Sequence, residues 1–331
     1  MHWPDYLPLL KETHKIWSAG LTFAHYVDYN ASQRVSAWGR RHLSLLCLYD
    51  TENEKEILSS LKLYKLTLKS RGQDFFIYGI GAMYTPQTRR QKGYGQALLL
   101  EVIKKAEEEN VDGLLLFSDI GEEFYEQVGF ELIGGASFTL QLPRFGGEDL
   151  EACPPLKALE ESDVPFVERH YTRWLHKRPY AVERAENYWR YKISKEKYLQ
   201  ANSKLSWPGL SLLKLVDGYA ILEKAGATLR ILELIHGSGQ CALEKAWSEI
   251  FAYCASQRIR RLTGWEGVLF DLAPAYRLDK LAAALCKRPL QDFHLYFEDR
   301  GWGAPMLLPL NEKLESWCEI APCPILELDH L

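Results

Sequence analysis

The hydrophobic and polar positions of the chain fall into two stretches that predict the same series of elements. In each stretch helices come first, three antiparallel strands follow, and a helix, a strand, a helix and a final strand segment complete the series. Residues 61–68 alternate apolar and polar positions with one slip, as a half-exposed strand does, and residues 96–110 carry one apolar face, as an amphipathic helix does. Because the order repeats, we predict an internal duplication that is too diverged to be seen from identity.

The elements of the two stretches are predicted as follows. The first has helices over 5–37 with breaks at 19–20 and near Asn30, strands over 42–49, 61–68 and 75–84, a helix over 96–110, a strand over 113–117, a helix over 122–127 and a strand hairpin over 130–142 that turns at 134–135. The second has helices over 160–177 and 182–201, strands over 210–216, 218–224 and 228–236, a helix over 240–258, a strand over 259–265, a broken helix over 273–285 and a strand over 292–297. Residues 144–155 hold a Gly-Gly and a Pro-Pro pair and are predicted to be a linker.

The composition is that of a globular protein. The chain has 331 residues, about twice the usual length of a domain, with 47% hydrophobic and 25% charged residues. Its net charge of -4 argues against a dedicated nucleic-acid binder. The sequence has no run of 18 apolar residues and no leader-like start, so we expect neither a membrane span nor a signal peptide. Seven cysteines without a Cys-x-x-Cys pair indicate a reducing compartment, which we take to be the cytoplasm, and predict no metal site.

Charge is unevenly distributed along the first stretch. Residues 55–92 hold eight basic and two acidic side chains, whereas residues 101–131 hold ten acidic and two basic ones. A positive region in an acidic protein suggests a small anionic ligand, and the alternative is a solvated strand face.

The strongest local signal is the segment Arg-Arg-Gln-Lys-Gly-Tyr-Gly-Gln-Ala at residues 89–97, between a predicted strand and a predicted helix. Two glycines allow a tight turn whose backbone N–H groups lie at the positive end of the helix and can cradle a pyrophosphate. Arg90 and Lys92 add positive charge. The segment lacks the third glycine of a dinucleotide-binding fingerprint and is not a Walker A loop. A Gly-x-Gly pair alone also occurs where only the geometry of the turn requires it.

Two motifs in this order resemble those of the GNAT superfamily of N-acetyltransferases. The coenzyme-A loop of that family, Arg/Gln-x-x-Gly-x-Gly/Ala, is matched by residues 90–95, and its Phe-Tyr-x-x-x-Gly-Phe motif is matched by residues 124–130. The resemblance covers roughly residues 40–140. The spacing from Pro86 to Arg90 is one residue longer than usual, which leaves open whether Arg89 or Arg90 faces the phosphates.

The resemblance implies acetyl-CoA as co-substrate and a set of site residues. The strand at 80–84 would pair with the pantetheine arm, and amides of the turn would hold the pyrophosphate. Tyr125 would protonate the leaving thiolate as a general acid, and its alternative role is that of a core aromatic. The implied cofactor-binding residues are Ala82, Met83, Tyr84, Arg89, Arg90, Gln91, Lys92, Gly93, Tyr94, Gly95 and Gln96.

No catalytic base can be identified from the sequence. Four residues qualify by chemistry alone, namely Glu122, Glu123, His25 and His42, and each is also explained as a surface or packing residue. A water chain that removes the proton of the amine is the alternative.

The second stretch keeps Gly237 and Gly239 at the equivalent turn but has Leu234 where an Arg is expected and Glu233 beside it. We therefore expect a degenerate repeat that does not bind CoA strongly. Four aromatic residues would shape the acceptor pocket or belong to the core: Tyr171, Trp174, Tyr188 and Trp189.

The sequence thus predicts an α/β (α+β) protein of two GNAT-like domains, each a mixed, mostly antiparallel sheet flanked by helices. The catalytic domain would span residues 1–143 and the degenerate domain residues 156–331. The expected activity is acetyl transfer from acetyl-CoA to a primary amine of a small molecule or peptide by direct attack. The alternatives are a non-catalytic acyl-CoA binding or sensor protein and a tandem without a ligand. We expect no nucleic-acid or membrane partner, and a homodimer stays open.

Overall fold

The computed structural model describes residues 6–50, 56–145, 155–184, 187–205, 209–272, 277–320 and 323–331. Its helices are α1 (Leu7–Trp17), α2 (Phe23–Val35), α3 (Gly39–His42), α4 (Tyr94–Glu108), α5 (Glu123–Glu126), α6 (Val164–Leu175), α7 (Tyr188–Asn202), α8 (Gln240–Ser256) and α9 (Leu278–Leu285). Its strands are β1 (Leu43–Tyr49), β2 (Ile57–Ser70), β3 (Gln73–Tyr84), β4 (Gly113–Ser118), β5 (Glu131–Leu132), β6 (Ala136–Gln141), β7 (Lys157–Ala158), β8 (Ala181–Val182), β9 (Gly209–Leu215), β10 (Gly218–Ala225), β11 (Thr228–His236), β12 (Arg261–Trp265), β13 (His294–Asp299) and β14 (Ala304–Pro309).

The strands form two seven-stranded sheets of the same design. The first has the order β1-β2-β3-β4-β14-β5, with β8 also paired to β2, and the second has the order β13-β6-β12-β11-β10-β9-β7. In each sheet an antiparallel meander is followed by one parallel pair, β3 with β4 and β11 with β12. A long helix, α4 or α8, connects the two strands of each parallel pair. The predicted mixed, mostly antiparallel sheets are confirmed.

The two sheets exchange one strand with each other. Strand β6, from the first half, lies between β12 and β13 in the second sheet, and β14, from the second half, lies between β4 and β5 in the first. The predicted hairpin over 130–142 is therefore wrong, because β5 and β6 join different sheets. The predicted division near residue 143 stays a prediction, and most of the predicted linker lies outside the described residues.

Hydrophobic packing explains where the helices lie. The apolar face of α4, with Leu99 and Val102, covers one face of the first sheet, where Leu61, Tyr78 and Ile80 are buried. The other face of that sheet packs against aromatic residues from both halves, including Trp38, Tyr180, Tyr188 and Trp317. Strands β10 and β11 are buried along most of their length because α8 and α6 cover both faces of the second sheet. Near-continuous apolar runs are typical of strands covered in this way.

Candidate active site

A slot opens between β3 and β4 at one end of the first sheet. The two strands pair from Ile77–Gly113 to Ile80–Leu116, and beyond that point they continue to Tyr84 and Ser118 without pairing with each other. Here β3 is bulged against β2, and Ala82 at the bulge has a φ of +48°. The backbone of Ala82, Met83 and Tyr84 therefore borders the slot along its unpaired edge, and Ala82 is exposed.

The glycine turn lies next to this slot, at the start of α4. Gly93 caps the helix with a φ of +79°, and a Cβ at this position would meet no atom within 4 Å. The first intrahelical hydrogen bond runs from the Ala97 N–H to the Gly93 carbonyl, 2.8 Å away. The amides of residues 94–96 precede that bond and have no acceptor within the helix. The turn therefore presents free N–H groups at the positive end of a 15-residue helix.

The arginines of the turn differ in their partners. Arg89 donates from Nε to Glu56 Oε1 at 2.8 Å, and a second nitrogen of its guanidinium contacts the same carboxylate oxygen. Arg90 donates from Nε to the Thr85 carbonyl at 3.1 Å, and its side chain is exposed. Lys92 is also exposed. Arg89 is thus neutralised by a carboxylate, whereas Arg90 and Lys92 face solvent.

Tyr125 lies in α5, close to the start of α4. Its neighbour Phe124 approaches Gly95, where a Cβ would lie 3.3 Å from the ring and 3.1 Å from the Met83 methyl group. Tyr125 is 7% exposed and packs edge-on against Phe124, with the ring centroids 5.0 Å apart. Burial, and to a smaller degree the charge of Asp119, raises the pKa of Tyr125 to about 12. The phenol therefore keeps its proton at any physiological pH.

Lys62 lies on the opposite face of the first sheet and was not identified from the sequence. It is paired with Gly81 across β2 and β3, and its Nζ donates to Gln33 Oε1 at 3.2 Å. Burial, with a smaller effect from the charge of Lys195, lowers the pKa of Lys62 to about 7. Strand alternation places Lys62 on the same face as Tyr64, whose ring lies next to Gly81. The alternating pattern of β2 does not predict that Lys62 lies opposite Gly81. That pairing depends on the bulge of β3 against β2, which the sequence of one strand does not reveal.

The predicted candidate bases do not meet at the slot. His42 contacts the Lys65 carbonyl through Nδ1 at 3.0 Å and stacks on Trp38. His25 packs edge-on against Tyr198, with the ring centroids 6.5 Å apart. Only Glu122 and Glu123 lie near Tyr125, at the start of the same short helix.

The four aromatic residues that were predicted to shape the acceptor pocket do not lie together. Tyr171 and Trp189 line a cavity of about 670 Å³ together with Arg184. Trp174 lines a second, smaller cavity, and Tyr188 is a core residue that packs edge-on against Trp38 at 5.0 Å.

The equivalent turn of the second half keeps a glycine cap, but Gly239 has a ψ of 167° where Gly93 has -1°, and the surroundings of the turn differ as well. Gly239 has a φ of +89°, and its carbonyl accepts from the Leu243 N–H at 3.2 Å. Leu234 is buried, and Glu233 points into the core, where Arg184 and Tyr219 donate to it. The carboxylate of Glu233, which the sequence places beside Leu234, is therefore bound in the core and does not face the turn.

The first half of the chain matches a known protein family. Residues 19–133 match the family model described as an acetyltransferase (GNAT) domain. No curated protein matches the chain in sequence. The predicted resemblance to the GNAT superfamily is confirmed.

Solved structures share the fold over nearly the whole chain. A GCN5-related N-acetyltransferase from Anabaena variabilis ATCC 29413 has a TM-score of 0.64 at 17% identity, with 92% of this chain and 70% of that one covered. A GCN5-related N-acetyltransferase from Kribbella flavida has a TM-score of 0.59 at 12% identity, with 93% of this chain and 70% of that one covered. A conserved protein of unknown function from Enterococcus faecalis V583, a probable N-acyltransferase, has a TM-score of 0.65 at 13% identity, with 93% of this chain and 70% of that one covered. The predicted GNAT-like fold is thereby confirmed across both halves.

Proposed function

We propose that this chain, whose residues 19–133 form a GNAT acetyltransferase domain, transfers an acetyl group from acetyl-CoA to a primary amine of a small molecule or peptide. One observation carries the proposal: a turn with free amides, an open strand edge and a buried tyrosine meet at one end of the first sheet. The turn would bind the phosphates of acetyl-CoA, the strand edge would bind its pantetheine arm, and the tyrosine would protonate the leaving sulfur.

The turn is suited to hold the pyrophosphate. Its free amides and the helix dipole favour an anion, and Gly93 leaves space for one because no side chain fills that position. Arg90 and Lys92 supply mobile positive charge, whereas Arg89 is bound by Glu56. We therefore assign the phosphate contact to Arg90 rather than to Arg89, and give Arg89 the role of fixing the turn to the segment around Glu56.

The strand edge is suited to hold the pantetheine arm. Backbone N–H and C=O groups that lack a strand partner cost free energy unless another group pairs with them. The edge of β3 at Ala82, Met83 and Tyr84 offers such groups, and an extended amide-bearing arm can pair with them as an added strand does. This pairing would point the thioester toward Tyr125.

Tyr125 is suited to protonate the departing sulfur. Its phenol is protonated across the working pH range because its pKa is about 12. When the C–S bond breaks, Tyr125 donates its proton to the sulfur and regains one from solvent. Phe124 and Phe130 fix the ring in position by edge-on packing.

Lys62 is the group that we assign to accept the proton of the attacking amine. With a pKa of about 7, a substantial fraction of Lys62 is neutral near pH 7. As the new C–N bond forms, Lys62 takes one proton from the amine nitrogen and later releases it to water. Lys62 and Tyr125 lie on opposite faces of the sheet, and Leu331 packs over Gly81 on the face of Lys62, so the amine would reach Lys62 beside the Leu331 side chain.

An acetyl-CoA thiol-release screen against a panel of primary amines tests the proposal. We expect at least one amino acid, polyamine, aminoglycoside or peptide to release CoA at a rate that depends on its concentration. Tight binding of acetyl-CoA with no turnover across the panel would contradict acetyl transfer and would instead identify a non-catalytic acyl-CoA binding protein.

A further inference from the structure

A small cavity of about 150 Å³ lies in the second half, where β11 turns into α8. Gly237 and Gly239 line it with their backbone, and Lys177, Arg178 and Asp271 line it with their side chains. We propose that this cavity binds a small tetrahedral oxyanion of the phosphate or sulfate class. The inference does not depend on acetyl transfer, because it concerns a different turn with its own side chains.

The backbone of this turn is prepared for an anion. The carbonyl of Gly239 accepts the first bond of the 17-residue helix α8, so the amides of residues 240–242 have no acceptor within the helix. A Cβ at Gly239 would meet no atom within 4 Å, which leaves the approach to these amides open. The turn thus offers free amides behind a glycine cap, as the first half does at Gly93, although the two glycines differ in ψ, 167° against -1°.

Positive charge reaches this turn from the end of α6. The exposed Lys177 donates from Nζ to Ser238 Oγ at 2.5 Å and pairs with no carboxylate among the described residues. Arg178 donates from Nη1 to Asp271 Oδ1 at 2.7 Å, so these two charges offset each other. Asp217 packs beside Gly237 but does not line the cavity. His236 also lines the cavity, with its Nε2 3.2 Å from Asp271 Oδ2 and its Nδ1 2.8 Å from the Gly237 carbonyl oxygen. Lys177 is therefore the lining cation that has no carboxylate partner among the described residues.

Arg178 provides a separate indication that an acceptor belongs here. The residue is 3% exposed, and its Nε is buried without a hydrogen-bond partner in the described part of the chain. Its guanidinium is held over the rings of Trp174 at 4.3 Å and Phe270 at 4.8 Å, which fixes the direction of its N–H groups. Buried donors in folded proteins are nearly always paired, so this one points to an acceptor oxygen from outside the chain.

The size of the cavity limits the ligand. A volume of 150 Å³ equals roughly five waters at about 30 Å³ each, and it lies below the roughly 300–1,000 Å³ of pockets for drug-sized ligands. A free oxyanion, or the terminal phosphate of a larger molecule, fits this space. A whole coenzyme A does not.

Calorimetric titration of inorganic phosphate into the CoA-free protein tests the proposal, at constant ionic strength set with NaCl. We expect saturable binding to the wild type that weakens at least about tenfold in Lys177→Met, because the lining cation without a carboxylate partner is lost. The exposed Lys197 on α7 gives a matched control, and Lys197→Met is expected to bind phosphate as the wild type does. Titration of O-phosphoethanolamine distinguishes a free ion from a phosphate group carried by a larger molecule.

The turn of the first half is the competing location for phosphate. Gly93→Asp blocks that turn and is expected to leave phosphate binding intact, whereas Gly239→Asp is expected to abolish it. Absence of saturable binding, equal binding in Lys177→Met, or loss confined to Gly93→Asp would each overturn the proposal. Far-UV circular dichroism of every variant confirms that the protein is folded.

Discussion

The two halves contain the same glycine turn at the same place in the fold, but they differ in what lies beside it. In the first half the backbone next to the turn borders an open slot, and Ala82 is exposed. In the second half residues 232–235 are buried, and an ion-pair network fills the equivalent space. Arg184 bridges Glu233 and Asp329 there, and Arg230 lies 3.1 Å from Glu327. The glycine cap of the helix therefore survives where the space for an extended cofactor arm has been closed.

The largest effect is expected from breaking the network that fills the second half. Arg184→Met leaves Glu233 and Asp329 buried without their cation, although the side chain keeps a similar volume. We expect a loss of about 3–5 kcal/mol in the free energy of unfolding, the usual cost of removing one partner of a buried ion pair. Chemical denaturation followed by tryptophan fluorescence measures it. Arg261→Met, at an exposed strand position, is the control, and an equal small loss in both variants would contradict a structural role for the network.

Removing the proposed proton donor comes next. Tyr125→Phe keeps the ring and its edge-on contacts and deletes only the hydroxyl. We expect kcat to fall about 10²-fold while the affinity for acetyl-CoA is unchanged, because only the departing sulfur needs the proton. Steady-state kinetics with calorimetry of CoA binding separate the two quantities. A wild-type kcat would make Tyr125 a core aromatic.

The two glycine turns allow a matched test of phosphate binding. Gly93→Asp and Gly239→Asp replace glycines that both have a positive φ and open space at the Cβ position, but Gly239, with a ψ of 167°, lies in a region that only glycine adopts readily, so Gly239→Asp carries the larger backbone strain. We expect Gly93→Asp to weaken acetyl-CoA binding by more than about 2 kcal/mol, roughly 30-fold, through charge repulsion and occupied space. Gly239→Asp is expected to leave it unchanged. Equal losses in both variants would show that the effect is one of backbone strain.

The smallest effect concerns the pH dependence. Because Lys62 must be neutral to accept a proton, the pH profile of kcat/KM should have a rising limb that ends near pH 7, above which Lys62 no longer limits the rate. Lys62→Gln should lose this limb and about tenfold in rate at neutral pH. Lys195→Gln removes a charge that lowers the pKa of Lys62, so it should move the limb to higher pH. A limb that is identical in all three proteins would assign it to the acceptor amine.

The sequence predicted the local elements well and their long-range partners poorly. Periodicity and turn residues located the meanders and the helices α4 and α8 because those signals lie within a few residues of each other. Strand β14 was not predicted at all, and the place of β6 in the second sheet was missed because a short apolar strand gives no indication of which sheet it joins. The partner of Arg89 is Glu56, and the cations of the second turn come from the end of α6, about 60 residues earlier. Such contacts form only in the folded protein, and no regular spacing of residues in the sequence predicts them.

The most direct test is to measure how many acetyl-CoA molecules bind per chain and which of the two glycine turns binds them. Calorimetric titration of acetyl-CoA into the wild type and into the two glycine variants measures both. We expect one molecule per chain in the wild type and in Gly239→Asp, and binding weakened by more than about 30-fold in Gly93→Asp. Two equivalent sites in the wild type, or loss of the single site in Gly239→Asp, would contradict the claim that only the first half retains the cofactor slot.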